Sequence, residues 1–256
     1  MIRVVKIGGR AQGDPRVAAA LGQTWNDSPN SLCVVHGGGD EISTMQRALG
    51  REPTFVGGRR VTSQSDLELL RMVLSGLVNK RLVNSLVAAG IPAVGLSGED
   101  DALIGAELID AASLGFAGRP IAINVQLLRT LMDAGYMPVI SPVGYDAASG
   151  KGGTLNVNGD DAAAAIAVGL KAEELLLIAD VEGVEGAEGN LVQSLGIESA
   201  RELIASGIAA GGMAAKLESA RAALLAGVDR VRICDLAGLA DSERGTFITQ
   251  SQSVVS

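Results

Sequence analysis

Short runs of apolar residues recur along the chain, and most of them end in Gly, Asp or Ser. The runs are unbroken rather than alternating with polar residues, so they predict strands that are buried on both faces. Strands of this kind form mostly parallel sheets that are covered by helices. The predicted strands are 2–7, 32–35, 93–96, 121–124, 138–141, 175–179 and 230–233.

Stretches with helical periodicity separate these strands. They are 15–25, 40–49, 65–88, 125–134, 160–170, 200–206 and 213–226. The alternation of strand and helix predicts the α/β class, with a mostly parallel central sheet sandwiched by helices. Three segments rich in Gly, Asp, Glu or Ala are predicted to be irregular connections, namely 97–114, 144–154 and 183–190. No linker is evident, so we expect one unit over 1–256 that has two lobes.

Composition and charge narrow the classes of function. The 256 residues are 47% hydrophobic, which is ordinary for a globular protein. A formal net charge of −8 argues against a broad nucleic-acid surface or an anionic membrane as the partner. No apolar segment follows Met1, and the longest uncharged run, 82–98, contains Asn, Ser, Gly and Pro. We therefore expect neither a secretory signal nor a membrane span, and we expect Cys33 and Cys234 to be buried thiols in a reducing cytoplasm.

The two commonest phosphate-binding motifs are absent. The Lys within 150–152 is not followed by the Ser or Thr of a P-loop, and no Gly-x-Gly continues as the dinucleotide-binding fingerprint. Two other glycine turns, 8–9 and 37–39, directly follow predicted strands. Because glycine lacks Cβ, backbone N–H groups in such turns can approach an anion closely. Tight strand–helix connections would account for the same residues.

Two lysines and one aspartate carry the most informative charges. Lys6 interrupts the first predicted strand just before a glycine turn, where a charge is costly unless it meets an anion. Lys216 is predicted to lie in the first turn of a helix that opens at Gly211, where the helix dipole disfavours cations. Asp160 begins the predicted helix 160–170 and could hold both ammonium groups. Each also has an ordinary explanation, as a solvated lysine or as an acid at a helix N-terminus.

Taken together, these segments resemble the amino acid kinase family and, within it, the branch that phosphorylates N-acetyl-L-glutamate. The similar segments follow the family's order along nearly the whole chain. They are VKIGG (5–9), HGGG (36–39), GRRVT (58–62), GLVNK (76–80), GLSG (95–98), NVNGD (156–160), DVEG (180–183), GGMAAK (211–216) and GT (245–246).

The resemblance implies transfer of a phosphoryl group from MgATP to the side-chain carboxylate of N-acetyl-L-glutamate in arginine biosynthesis. The products would be N-acetyl-L-glutamyl 5-phosphate and ADP. Lys6 and Lys216 would stabilise the transferring group, and Asp160 would position both ammonium groups. The implied substrate-binding residues are Gly37, Gly38, Gly39, Arg60 and Asn156. The implied ATP-binding residues are Lys6, Gly8, Gly9, Asp180, Val181, Glu182, Gly183, Val184, Glu185, Ile208, Ala209, Ala210 and Lys216.

The implied chemistry agrees with the composition. An acceptor carboxylate with a pKa near ~4.3 is already deprotonated at pH 7, so the reaction needs no general base. This suits a chain whose single histidine is His36. Arg60 suits the α-carboxylate of the substrate because its planar guanidinium can bind both oxygens. The implied cofactors are ATP and Mg²⁺, with no resident metal site.

The resemblance also divides the chain. The lobe 1–170 would bind the acyl-amino acid and form dimers, and the lobe 171–256 would bind ATP. Arginine-inhibited members of the family have an additional N-terminal helix that builds a hexamer. This chain starts directly at its first predicted strand, so we expect a homodimer that arginine does not inhibit by that mechanism. The run Glu99-Asp100-Asp101 departs from the family's pattern, and 235–245 is shorter than usual.

Two other functions remain open at this stage. The first is phosphorylation of a carrier-linked 2-aminoadipate in lysine biosynthesis, although a chain with eight net negative charges is a less natural partner for an acidic carrier. The second is a ligand sensor that keeps the fold without turnover. The presence of Lys6, Lys216 and Asp160 argues against a sensor, because binding alone does not require transition-state charges.

Overall fold

Strands and helices alternate along the chain, of which the computed structural model describes residues 1–8, 11 and 13–250. The strands are β1 (Arg3–Ile7), β2 (Leu32–His36), β3 (Phe55–Val56), β4 (Arg59–Arg60), β5 (Ala93–Ser97), β6 (Ile104–Leu108), β7 (Ala117–Ile123), β8 (Met137–Ser141), β9 (Val143–Asp146), β10 (Thr154–Val157), β11 (Glu174–Ile178), β12 (Val184–Glu185), β13 (Leu191–Val192), β14 (Ser194–Gly196), β15 (Arg230–Cys234) and β16 (Thr246–Thr249). The α-helices are α1 (Arg16–Asp27), α2 (Gly39–Ala48), α3 (Gln64–Arg71), α4 (Asn79–Ala88), α5 (Ala111–Leu114), α6 (Val125–Asp133), α7 (Gly159–Leu170), α8 (Ile197–Ala205) and α9 (Gly211–Leu225).

The main sheet contains eight strands in the order β14-β16-β15-β11-β1-β2-β8-β5. Neighbouring strands run parallel, except that β16 lies antiparallel to β15. In register, Lys6 on β1 stands between Val35 on β2 and Leu177 on β11. The carboxyl ends of these three strands therefore meet at one edge, which is where open α/β sheets bind ligands.

Helices cover both faces of this sheet. Val4 packs in a core cluster with residues of α7 and α9, whereas Val5 and Ile7 pack in a second cluster with residues of α1 and α4. Because successive side chains of a strand point to opposite faces, Lys6 lies on the Val4 face, toward α7.

Smaller sheets accompany the main one. Strands β10, β7, β6 and β9 close on one another into a four-stranded ring, and β12 pairs with β13 in a short hairpin. A third unit, the β3–β4 hairpin, pairs Phe55 with Arg60 and Val56 with Arg59. Its two turn residues, Gly57 and Gly58, both have positive φ (55° and 76°), which favours glycine at both positions.

The predicted fold class is confirmed, and several boundaries were wrong. The helix predicted over 65–88 contains a π-helical segment, Met72–Val78, that joins α3 to α4. The strand predicted over 121–124 is the end of β7 and belongs to the small ring rather than to the main sheet. All three segments predicted to be irregular contain strand residues, from β6, β9 and β12, because glycines and short lengths hide strands of this kind. The division into lobes stays a prediction.

Candidate functional site

Lys6, Asp160 and Lys216 converge at the carboxyl end of the main sheet. The Lys6 Nζ lies 2.9 Å from Asp160 Oδ1, and the Lys216 Nζ lies 3.1 Å from Asp160 Oδ2. Lys6 and Asp160 are buried, with exposed fractions of 6% and 4%. These three residues, called here the lysine–aspartate cluster, carry two positive charges and one negative charge. The surplus positive charge makes the cluster suitable for binding an anion.

Each member of the cluster is held by a different element. Asp160 lies in the first turn of α7, which Asn158 caps by accepting a hydrogen bond from the Asp160 backbone N–H at 2.8 Å. Lys216 lies in α9, which begins at Gly211, so Lys216 is in the second turn of that helix. The prediction of the first turn was wrong, and the helix dipole disfavours this lysine less than expected because the effect fades within one turn.

The charges of the cluster shift its titration. Burial acts to raise the pKa of Asp160, but the neighbouring Lys6 and Lys216 ammonium groups hold that pKa below its ordinary value. Burial, and after it the charge of Lys6, lowers the pKa of Lys216 to about 8. Lys216 therefore carries a positive charge near pH 7 and loses it on the alkaline side.

A cavity of about 260 Å³ opens beside the cluster. Its wall includes every residue that was predicted to bind the substrate: Gly37, Gly38, Gly39, Arg60 and Asn156. A Cβ at Gly38 would collide with the Leu74 side chain, whereas a Cβ at Gly39 would meet only the Arg60 guanidinium, at 4.0 Å. The structure thus brings the predicted substrate-binding residues and the lysine–aspartate cluster to one cavity.

Arg60 is fixed by the fold before any ligand arrives. Its guanidinium donates hydrogen bonds to the Gly39 carbonyl and the Ser43 hydroxyl, both at 2.9 Å, and also to Gln46. The same group lies over the ring of Phe55, 4.7 Å from its centroid. Because several partners hold it, the guanidinium keeps one orientation at the cavity wall.

His36 orients the glycine loop that follows β2. Its ring is fully buried, Nδ1 lies 2.7 Å from the Gly37 carbonyl, and Nε2 lies 3.1 Å from Asn79 Nδ2. A carbonyl can only accept, so Nδ1 carries the proton and Nε2 accepts from Asn79. Burial lowers the pKa of His36 to about 4, so the ring is neutral near pH 7. A Cβ at Gly95 would collide with the Asn79 amide oxygen, so the glycine leaves room for the side chain that contacts His36.

Asn156 also has a partner within the fold. Its Nδ2 donates to the Thr62 hydroxyl at 2.9 Å, and Thr62 is fully buried. Thr62 in turn lies so close to Gly115 that a Cβ there would collide with the Thr62 carbonyl. The amide of Asn156 is therefore held at the cavity wall by the segment that follows the β3–β4 hairpin, where Thr62 forms an isolated bridge with Gly115.

The predicted ATP-binding residues of 180–185 and 208–210 do not line this cavity. Asp180 accepts a hydrogen bond from the Ala11 backbone N–H at 3.2 Å and borders a separate cavity of about 580 Å³. Val184 and Ala209 are buried in the core, whereas Val181 and Ile208 stay exposed. Gly8 adjoins the cluster, because a Cβ there would collide with Lys6 Nζ. The predicted residue Gly9 lies outside the described residues.

Gly183 and Glu182 have structural partners. A Cβ at Gly183 would lie 2.6 Å from Thr246 Oγ1, and that hydroxyl accepts from the Val184 backbone N–H at 2.8 Å. Glu182 forms an ion pair with Arg244 at 3.2 Å. A glycine at 183 therefore leaves room for the Thr246 hydroxyl, which holds the Val184 backbone.

The acidic run after Gly98 is engaged within the fold. Glu99 accepts from the Arg71 guanidinium at 3.0 Å and from the Thr154 hydroxyl at 2.5 Å. Asp100 and Asp101 also accept hydrogen bonds, from the Ser97 backbone and from Asn124. The run therefore ties α3 to β10, the strand that carries Asn156. Among residues 1–8, 11 and 13–250, no three His, Cys, Asp or Glu side chains are grouped as metal ligands.

Comparison with known proteins decides the family. The sequence profile of the amino acid kinase family matches residues 1–235. The chain belongs to the amino acid kinase family. Proteins described as acetylglutamate kinase from Cereibacter sphaeroides and Paracoccus denitrificans are each 45% identical to it over 235 residues. The alignments cover 91% of this chain and 79% and 76% of those proteins.

Solved structures share this fold. The crystal structure of smu.665 from Streptococcus mutans UA159 is 30% identical to this amino acid kinase, with a TM-score of 0.87 over 98% of this chain and 99% of that chain. The N-acetylglutamate synthase from Neisseria gonorrhoeae, complexed with coenzyme A and N-acetyl-glutamate, is 27% identical with a TM-score of 0.83. That alignment covers 98% of this chain and 60% of the synthase.

Sequence reasoning missed three residues of this amino acid kinase that adjoin the site. Arg59 pairs with Asp161 at 2.6 Å, and Asp161 accepts from the Ser219 hydroxyl at 2.6 Å. The available signal was adjacency, because Arg59 stands beside Arg60 and Asp161 beside Asp160.

Among the described residues, no helix is both long and apolar enough to span a membrane.

Proposed function

We propose that this chain catalyses phosphoryl transfer from ATP to the side-chain carboxylate of N-acetyl-L-glutamate, giving N-acetyl-L-glutamyl 5-phosphate and ADP. One observation carries the proposal. Two ammonium groups, one buried and one partly buried, share one aspartate at the wall of a cavity that also holds an oriented guanidinium, Arg60. The similarity to proteins described as acetylglutamate kinases supports the choice of acceptor. In the cell, we propose a cytoplasmic enzyme of arginine biosynthesis.

The two lysines supply the electrostatic part of catalysis. Attacking carboxylate, transferring group and leaving phosphate are all anionic, so charge repulsion is a large part of the barrier. Lys6 and Lys216 would stand beside the transferring phosphoryl group, with Asp160 fixing both ammonium groups in advance. Fixed charges of this kind cost no reorganisation at the moment of reaction. Gly8, Gly38 and Gly39 would contribute backbone N–H donors, whereas the Gly37 N–H already donates to the Ile7 carbonyl at 2.8 Å.

Binding of the acceptor would rest on Arg60 and Asn156. The guanidinium would pair with the α-carboxylate, and the Asn156 amide would contact the acetylated amino group. Both side chains are already held by partners in the fold, which reduces the entropy lost on binding. The acceptor carboxylate attacks in its deprotonated form, and the neutral, buried His36 is not required as a base.

The nucleotide would lie across the segments 180–185 and 208–210. Exposed apolar side chains in both segments, Val181 and Ile208, are suited to the faces of an adenine ring. Val184 and Ala209 are buried, so they would contribute backbone groups only.

Magnesium fits this site as an ion that would enter bound to the phosphates of the nucleotide. Both carboxylate oxygens of Asp160 are taken by lysines, and the described residues offer no group of three ligating side chains. Mg²⁺ bound largely by substrate phosphates is common in phosphoryl transfer. When bound, it would neutralise charge on the phosphate oxygens.

We further propose that the lobe 1–170 forms a homodimer. Strand β5 ends the main sheet, and an unpaired edge is a template for pairing with another chain. Apolar side chains of the adjoining helical segment are exposed, namely Met72, Leu77 and Val87. The strands of the main sheet that precede residue 170 lie together on one side of it, which supports the proposed division into two lobes.

The release of ADP tests the proposal. The assay compares N-acetyl-L-glutamate with L-glutamate and L-2-aminoadipate at equal concentrations, each against an ATP-only blank. We expect N-acetyl-L-glutamate to give by far the largest kcat/KM. No ADP above the blank with any acceptor would contradict the proposal and favour a ligand sensor. Preference for aminoadipate would favour the carrier-linked reaction, which the described relatives do not support.

A further inference from the structure

The β3–β4 hairpin carries Arg60 and reaches the N-termini of α7 and α9. An isolated two-stranded hairpin is marginally stable on its own, so its position depends on contacts outside it. At the tip of the hairpin, a Cβ on Gly58 would lie 3.4 Å from the carbonyl oxygen of Gly211, which is the first residue of α9. Phe55, Gly58, Arg59 and Arg60 all line the 260 Å³ cavity. The hairpin therefore forms one wall of the site.

An ion pair connects the β3–β4 hairpin to α7. The Arg59 Nη1 lies 2.6 Å from Asp161 Oδ2, and the Ser219 hydroxyl donates to Asp161 Oδ1 at 2.6 Å. Ser219 is buried, and Asp161 is partly buried, with 18% of its side chain exposed. Asp161 is thus held from both sides, and the pair is better shielded from water than an ordinary surface ion pair.

The members of this connection stand next to the functional residues. Arg59 precedes Arg60 in the chain, Asp161 follows Asp160, and Ser219 lies one helical turn after Lys216 on the same face of α9. A displacement of any one of them would therefore displace a neighbour that the proposed reaction uses.

We propose that Arg59, Asp161 and Ser219 form a latch that holds the β3–β4 hairpin closed over the acceptor pocket. Arg59 is its positioning residue. It acts through the hairpin on Arg60, whose guanidinium must face the lysine–aspartate cluster for the acceptor to span the two. The kinetic part of this inference rests on the proposed function, whereas the closure of the hairpin does not.

The first test measures closure without any substrate. Amide hydrogen exchange is followed in the free protein for segment 54–61, where the Val61 N–H donates to the Thr54 carbonyl at 2.9 Å. Arg59→Leu and Asp161→Asn should each speed exchange of this segment by about tenfold, because the closed state becomes less populated. Arg119→Leu is the matched control, since it removes an equal charge from an exposed pair with Glu107. Unchanged exchange in Arg59→Leu would overturn the latch whatever the enzyme does.

The second test measures positioning during turnover. Arg59→Leu should raise the KM for N-acetyl-L-glutamate by about tenfold and leave the KM for ATP within about twofold. The double variant Arg59→Leu/Asp161→Asn should be no worse than the poorer single variant, because both changes break one pair. Faster exchange with an unchanged acceptor KM would overturn the positioning role. Absence of turnover in the wild-type protein would contradict the proposed function instead, and the exchange result would still decide the latch.

Discussion

Two clusters of buried charge lie at opposite ends of neighbouring strands of the main sheet. At the carboxyl end, Lys6 and Lys216 share Asp160. At the amino end, the fully buried Glu174 on β11 pairs with the Nε atoms of three arginines. They are Arg3 at 3.1 Å, Arg230 at 3.0 Å and Arg232 at 3.3 Å. Both clusters hold more positive than negative charge, yet only the first adjoins the cavity that we assign to the acceptor.

The two clusters differ in which groups accept hydrogen bonds from their surplus positive charges. Arg232 is 1% exposed, but its guanidinium also donates to backbone carbonyls of the segment that follows β15. Those carbonyls belong to Gly238 at 2.9 Å, Asp241 at 2.6 Å and Arg244 at 2.8 Å. Arg3 and Arg230 reach solvent, with 25% and 36% of their side chains exposed. A buried surplus of charge therefore indicates a ligand site only where the protein does not itself supply the remaining acceptors.

The largest expected effect is the loss of Lys216. Lys216→Ala should lower kcat by about 10³-fold, because a fixed cation beside the transferring group is removed. The circular dichroism spectrum and the melting temperature should stay close to those of the wild type. Lys151→Ala, which removes an exposed lysine from a loop, should leave kcat within about twofold. Near-normal turnover of Lys216→Ala would refute the assigned role.

A substitution in the amino-end cluster should lower the free energy of unfolding rather than kcat. Glu174→Gln leaves Arg232 buried without a carboxylate, so the free energy of unfolding should fall by about 3–5 kcal/mol. At a temperature where the variant stays folded, kcat should be unchanged. Urea denaturation measures the first quantity and ADP release the second. Glu107→Gln, in an exposed pair with Arg119, is the control and should cost about 0.5 kcal/mol or less. A large loss of kcat in Glu174→Gln would remove the distinction between the two clusters.

The two clusters should also differ in their response to pH. Burial lowers the pKa of Lys216 to about 8, so the ammonium group loses its proton as the pH rises through that value. A neutral amine cannot stabilise the transferring group, and kcat/KM should therefore fall by about tenfold per pH unit on the alkaline side. The amino-end cluster does not adjoin the acceptor cavity, so Glu174→Gln should leave this alkaline fall in kcat/KM unchanged. A kcat/KM that stays flat up to pH 10 would show that Lys216 titrates higher than its burial implies.

The sequence could reveal one of these clusters and only part of the other. Lys6 stands out because it interrupts an apolar strand, and Lys216 because it lies near a helix N-terminus. Arg232 interrupts β15 in the same way as Lys6 and carries the same signal. Arg3 and Arg230 begin their strands, where charges normally face solvent, so nothing local predicts that they meet Glu174. Arg59 and Asp161 were missed for a related reason, since their contact depends on where a hairpin tip falls across the fold. Charges that conflict with their own element are visible in a sequence, and charges that agree with it are visible only after folding.

The smallest effect that we predict concerns the space around Lys6. A Cβ at Gly8 would collide with Lys6 Nζ, but the colliding atom is the end of a flexible side chain and can move aside. Gly8→Ala should therefore leave the melting temperature nearly unchanged and lower kcat by about tenfold, because the ammonium group is displaced from Asp160. Gly76→Ala is the matched control, since a Cβ there meets nothing within 4 Å.

The outcome separates charge from placement. If Gly8→Ala kept the full kcat, a positive charge anywhere near the transferring group would suffice for catalysis. The 2.9 Å contact between Lys6 and Asp160 would then stabilise the fold, as the contacts of Glu174 do, and would not serve the reaction. If kcat fell while ATP still bound with wild-type affinity, the loss would lie in the transition state. Placement of the ammonium group, in addition to its charge, would then distinguish the lysine–aspartate cluster from the arginines at the other end of the sheet.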